Sequence, residues 1–455
     1  MNFLPEYQIS RPDSLLRLAV GQVVVETLII PKSDAPIEQI LSISTNTVVN
    51  PAEVFVGEAR YHGTMFYRVL YVDNSGQNHF LEHNVDFSDK FNHDGIVQAT
   101  RPIFSSYALD TDTISVSPTE IRLATVVEVQ MDAVVNNAIH HLSTGGEGIY
   151  TNTLPIDFSK VLHDGVDSFV LSDNFVDPKA IRTLSAEATA ILKSSVPGLD
   201  VVVCSGTLVS NICFETEGGM FKTLFHSIPF VQEVGAPGVN AQSTVFASVD
   251  IKSFKVGECT EGGSINLEAQ LNVRVIAFSQ SEFVPVIDVF SVTHDLVAKP
   301  QSHNFSTVKM QLFGEDRVEG SVSLQDNLPL ADTIMAVNGN RLNISQARSN
   351  GNSIVVEGVF SSNIVYYNAD QNSKNSLKVE LPFSISIAVA SGNSTYVLND
   401  LNQIIPSASV LNVTTRIRRG NEIDVRVDVG FSFVVSESKS VTVIKELEMG
   451  AEREL

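Results

Sequence analysis

One stretch of this sequence is written three times. The first copy runs from Gly63 through Tyr71 to Phe87, the second from Gly206 through Phe214 to Phe230, the third from Gly358 through Tyr366 to Phe383. Each opens on a glycine, reaches an aromatic eight positions on, turns through polar residues and closes on a phenylalanine. Phe87 and Phe230 lie 24 residues after their glycines and Phe383 lies 25 after its own. Successive copies start 143 and 152 residues apart. Recurrence at a fixed period marks a duplicated structural unit. The turns carry Asp73-Asn74-Ser75-Gly76, Glu217-Gly218-Gly219 and Asn368-Ala369-Asp370, residues suited to tight reversals, so each copy reads as a hairpin.

A chain of 455 residues exceeds what one core normally serves, and three domains match both length and period. The fold expected is all-β with minor helical turns: three tandem β-sandwich or barrel-like repeat domains. They are drawn at 20–139, 165–280 and 318–440, with a linker at 140–164, a spacer at 281–317 and a charged tail at 441–455 that frays. Each unit closes on a long strand; Ile423, Val425, Val427 and Val429 alternate with Asp424, Arg426 and Asp428, the pattern of one buried and one wet face. The helical turns are placed ahead of each copy: Ala35 to Leu41, a turn capped by Asp177 before Pro178, and a third within SVSLQDNLPLADTIMA.

The shared positions Gly63, Tyr71, Phe87, Gly206, Phe214, Phe230, Gly358, Tyr366 and Phe383 are read as structural, each unit needing the same backbone kink and core plug. Chemistry is sought elsewhere and finds little support. His79-Phe80-Leu81-Glu82-His83 spells the inverted zincin order, yet that motif needs a helix and this segment is a hairpin arm. His140-His141, with His163-Asp164 downstream, would diverge on extended backbone. Cys204, Cys213 and Cys259 are too few and badly spaced for a disulfide framework or structural zinc. Neither a G-x-S-x-G elbow nor a P-loop occurs. The expectation is therefore no catalytic residue, no cofactor and no metal.

Charge narrows the partners. Lys and Arg number 30 against 52 Asp and Glu, a formal net charge of −22, which opposes nucleic acid and bare anionic membrane. No apolar run is long enough for a transmembrane segment, and the N-terminus lacks a secretory signal's layout.

Three features look familiar together: the opening LIIPKSDAPIEQIL from Leu28, the hairpin with Val69-Leu70-Tyr71-Val72-Asp73 and Asp86-Phe87-Ser88-Asp89, and the spacer Val286-Ile287-Asp288-Val289-Phe290-Ser291. They resemble the SPOCS domain of the SipL-like family of spore coat morphogenesis proteins, over roughly residues 22–440. Members of that family end in a LysM module, and none is expected past Phe433. The resemblance implies a non-enzymatic structural protein of the endospore coat or spore surface. It would be made in the mother-cell cytoplasm, deposited on the forespore, and partnered by other coat or morphogenetic proteins or by itself. One alternative is a self-assembling filament or lattice that donates residues 1–30 or the second spacer as a strand. Another is an array of domains binding cortex or cell-wall glycan, which the absence of Trp disfavours.

Overall fold

A computed structural model describes residues 4–31, 35–325, 328–389, 398–399 and 401–452. In order the strands are β1 (Glu6–Ser10), β2 (Asp13–Ile29), β3 (Ile37–Phe55), β4 (Glu58–Asp73), β5 (Asn78–Asn92), β6 (Ile103–Ser117), β7 (Glu120–Asn136), β8 (Ile139–Thr144) and β9 (Ile149–Thr153). Then follow β10 (Ile156–Val176), β11 (Arg182–Pro197), β12 (Val201–Glu215), β13 (Phe221–Gly235), β14 (Thr244–Val256), β15 (Ser264–Phe283) and β16 (Val286–Ser291). The last six are β17 (His294–Ser323), β18 (Thr333–Asn350), β19 (Ser353–Asn368), β20 (Ser373–Ala388), β21 (Asn402–Arg418) and β22 (Glu422–Glu452). A single 3-10 turn, Glu217–Gly219, is the one helical element among the described residues.

The strands sort into one arrangement made three times. In β2–β7 the first strand pairs with the last and the last with the fifth, giving β2-β7-β6, while the middle three form β3-β4-β5. The same order returns as β10-β15-β14 with β11-β12-β13, and as β17-β22-β21 with β18-β19-β20. All pairings are antiparallel. Two three-stranded sheets face each other in every unit, and among the described residues no sheet closes into a barrel, so the units are sandwiches. Each encloses its own core, built from alternating inward residues such as Leu123, Val127, Val129 and Met131 of β7. The matching residues of β15 and β22 line the other two cores.

The outer ribbon of each unit runs on past its sandwich. β1 with β8 extends β2/β7, β9 with β16 extends β10/β15, and the end of β22 stays paired with the start of β17. These three two-stranded ribbons gather into a stalk around Leu142, Val286, Ile444 and Leu447.

Four expectations need correction. Residues from Ile37 to Leu41 are strand, not a helical turn: seven residues cannot hold a helix alone, and pairing with β4 satisfies their backbone. Asp177 caps no helix. Its Oδ1 accepts the Lys179 N–H and its carbonyl the Ala180 N–H, a simple reversal into β11. In the third copy the region leads straight into β18, residues 326–327 lying outside those described. The tail does not fray up to Glu452, because Val441, Val443, Ile444 and Leu447 face the core and the ladder to β17 continues. The segment drawn as linker carries β8 and β9, and the spacer carries β16 and most of β17, a strand of the third unit.

Candidate interaction surfaces

The repeated glycines and phenylalanines meet across the ladder in every unit: Gly63 opposite Phe87, Gly206 opposite Phe230, Gly358 opposite Phe383. Each phenylalanine ring lies flat over its glycine. A Cβ on Gly206 would come within 2.5 Å of Phe230 Cζ, and one on Gly358 within 2.8 Å of Phe383 Cζ. In the second and third units that Cβ would also collide with a carbonyl of the neighbouring strand, Ile191 or Asn343. The reason is a bulge in the neighbour: register slips after Leu192, opposite Gly206, and after Ile344, opposite Gly358. In the first unit the slip falls later, between Pro51 and Val54, and the three atoms nearest a Cβ on Gly63 all belong to the Phe87 ring. The kink is thus on the partner strand, and the ring covers the bare glycine.

The shared aromatics Tyr71, Phe214 and Tyr366 are fully buried. Tyr71 donates its hydroxyl to the Ala35 carbonyl (3.1 Å) and Tyr366 to that of Pro329 (3.0 Å), tying the first crossover of the unit to its core. Phe214, without a hydroxyl, packs on Phe175.

Beside each aromatic is a feature that strand alternation alone does not suggest. The register skips Leu41 between Ile40 and Ser42, Leu184 between Thr183 and Ser185, and Met335 between Ile334 and Ala336. A bulge re-aims its extra residue, and these three turn out of their own sandwiches into one shared cluster. Leu70, Cys213 and Val365, each one residue before a shared aromatic, join it, with Val72, Phe221 and Ala336 beside them. The units therefore close on one another in a ring. Asn78 Nδ2 of the first donates to the Gly219 carbonyl of the second (2.8 Å), and Asn211 Nδ2 of the second to Val337 of the third (2.9 Å). The third returns to the first through Asn363 Nδ2 to the Ile43 carbonyl (3.1 Å) and Lys374 Nζ to Asn78 Oδ1 (2.6 Å). Asn211 and Asn363 hold the same place, three residues before the aromatic. Arg68 stands there in the first unit and turns its Nε to Glu82 instead.

This hub was legible in part. Leu41 and Leu184 each precede their aromatic by 30 residues, and Met335 does so by 31. In the first and third copies an adjacent apolar pair, Ile40-Leu41 and Ile334-Met335, makes the bulge and breaks period-two alternation, which is why it reads as helix.

A cleft of about 420 Å3 lies between the first and third units, lined by Thr111, Arg341, Ser361, Asn363 and Lys378 among others. Burial lowers the pKa of the Arg341 guanidinium, which makes only long hydrogen bonds to the Ala108 carbonyl and Thr111 Oγ1. The histidines singled out in the sequence are separately engaged. His79 stacks on Tyr71 and donates to Asp73 Oδ2 (2.7 Å), while His83 shares a hydrogen bond with Thr27 (2.9 Å). Glu82 points away to Arg68. Hydrogen bonds from Ser75 and His79 hold the Asp73 carboxyl well below the usual carboxylate range. His140 is exposed and His141 buried, on opposite faces of β8; burial lowers the His141 pKa, and its Nε2 meets Ser10 Oγ at 3.0 Å. Cys204 and Cys213 are buried in β12, and their thiols are pushed up to about 11 and about 12 by burial. Among the described residues no three His, Cys, Asp or Glu side chains cluster as metal ligands would, and no helix is long and apolar enough to cross a membrane.

Residues 36–110 match the family model described as SipL, SPOCS domain. That stretch is the run from β3 into β6 of the first unit, with Gly63, Tyr71 and Phe87 inside it, and it points to a sporulation-related protein. No curated protein and no solved structure matches the chain.

Proposed function

We propose that the protein is a non-enzymatic structural component in assembly of the bacterial endospore coat or spore surface, acting through protein–protein contacts of its three sandwich modules. The observation that carries this reading is the match of residues 36–110 to a SPOCS domain, joined to a strand order that returns in the other two units. What the units hold in common supports it, because the glycine–phenylalanine pairs and buried aromatics sit where they stabilise sheets and crossovers. Residues suited to meet partners are left to surfaces that differ between units. Its partners would be other coat or morphogenetic proteins, and its route from the mother-cell cytoplasm onto the forespore. Fluorescent tagging during sporulation tests this directly. A shell around the forespore is expected, and a signal spread evenly through both compartments, beside normal coats in a deletion strain, would overturn it.

The strand-exchange alternative meets an obstacle in the paired state of its donors. Residues 6–10 lie against β8, and the second spacer lies against β9 and β22. Polymerisation by those segments requires opening ladders the chain already makes.

A further inference from the structure

The stalk holds an open strand edge. β9 belongs to a two-stranded sheet, so among the described residues only its β16 side has a ladder partner. Of the two, β16 is the strand that packs on β8, β17 and β22, leaving β9 outermost. From Tyr150 to Thr153 every residue of β9 is exposed. Exposed edges are ordinarily protected by lysine, proline or a bulge; the sequence of β9, IYTNT, supplies no lysine or proline, and the one bulge of this ribbon falls on β16, between Val286 and Asp288, opposite the end of β9.

Two aromatics mark the face beside this edge. Tyr150 and Phe290 stand directly opposite in the β9–β16 ladder, 65% and 56% exposed, with ring centroids 6.4 Å apart. Large exposed aromatics on one small ribbon are the kind of anchor that interfaces use. Two exposed carboxylates lie beside them and enter no ion pair among the described residues: Asp288 shares the face of Phe290, and Glu147 lies in the turn before β9, whereas Glu446 and Glu448 of β22 are already paired with Lys299.

We infer that the outer edge of β9 receives an extended, basic segment of a partner protein, which adds to the ribbon as a third strand. Main-chain hydrogen bonds to β9 would supply affinity, an apolar side chain beside Tyr150 the anchor, and long lysines or arginines reaching across β9 toward Asp288, or to Glu147, the selection. A second copy of this chain is disfavoured as occupant by mutual repulsion at a net charge of −22 each. The inference rests on the reading of the chain as an assembly protein, and names the surface and the partner's chemistry.

The test uses the full chain and a labelled peptide alternating lysine with valine, read by fluorescence anisotropy and by hydrogen exchange. A peptide alternating glutamate with valine is the control. The lysine peptide is expected to bind, to slow exchange at residues 149–153, and to weaken as salt rises. Combined Tyr150→Ser and Phe290→Ser should weaken it at least about tenfold, and Asp288→Lys should weaken it further at low salt. Tyr150→Ser alone serves if the double variant melts early. Absence of binding, equal binding of the glutamate peptide, or protection at another sheet edge would each overturn the inference. Forespore localisation retained alongside such a failure removes this edge and leaves the assembly role standing; loss of localisation in the wild-type chain removes the role itself.

Discussion

Adding one methyl group at the repeated glycines should hurt the units unequally. On Gly358 a Cβ would collide with the Asn343 carbonyl and lie 2.8 Å from Phe383 Cζ. The ring can rotate, but the carbonyl belongs to the β18 ladder and cannot move without breaking register. On Gly63 the three nearest atoms all belong to the Phe87 ring, a half-buried side chain that can rotate as a carbonyl in a ladder cannot. Overpacking against fixed atoms costs about 1–3 kcal/mol, and losing the ring's cover over the strand adds to it. Replacing glycine by alanine in a strand returns roughly 0.5–1 kcal/mol of backbone entropy. Gly358→Ala should therefore destabilise its unit by about 2 kcal/mol, Gly206→Ala similarly, and Gly63→Ala by less than about 1 kcal/mol. Because three cores share one chain, a single unfolding midpoint mixes them, and hydrogen exchange resolved by strand is the better assay. The loss should appear in β18–β20 for Gly358→Ala and scarcely in β3–β5 for Gly63→Ala. Rescue separates the causes. Phe87→Leu should restore Gly63→Ala, whereas Phe383→Leu should leave Gly358→Ala damaged. Equal cost at the two glycines, or full rescue by Phe383→Leu, would refute the carbonyl argument.

Leu41→Ala empties part of the hub and should cost about 2–4 kcal/mol, with protease cleavage rising between units before the sandwiches melt. Asn363→Leu strands the Ile43 carbonyl and should loosen the third-to-first contact by about 1 kcal/mol, measured as faster exchange in β3 relative to β5. His141 is held neutral by burial, so its folded pKa lies below the ordinary 6.5 and the folded state binds fewer protons. Its contribution is present above pH 6.5 and is lost as pH falls below it; the melting temperature should drop on acidification from pH 7 to 5, and less so in His141→Gln. A profile unchanged by that substitution would assign the acid sensitivity elsewhere.

Much of each hairpin was legible because its parts are local. Gly63, Tyr71 and Phe87 lie within one supersecondary unit, where turn residues and period-two alternation fix who faces whom. The paired strands β7, β15 and β22 showed the same alternation. The hub was hidden because its members come from three distant positions, and each skips the register of its own strand. Ile40-Leu41 and Ile334-Met335 are side-by-side apolar residues, and only the paired strand reveals that one faces inward and the other outward. The tail misled for a related reason: Lys445, Glu446 and Glu448 suggest a solvated end, while Val443 and Ile444 just before them and Leu447 among them are buried.

A ring that closes through its third member sets a timetable for biosynthesis. Leu41 and Leu184 emerge from the ribosome long before Met335, and 335−184 = 151 residues separate the last two. At ordinary elongation rates that interval lasts on the order of ten seconds. Once Phe283 completes the second interior, and until Met335 emerges, two sandwiches each carry an oily button whose third member is still missing, and any chaperone or protease that attends the nascent chain has that window in which to act.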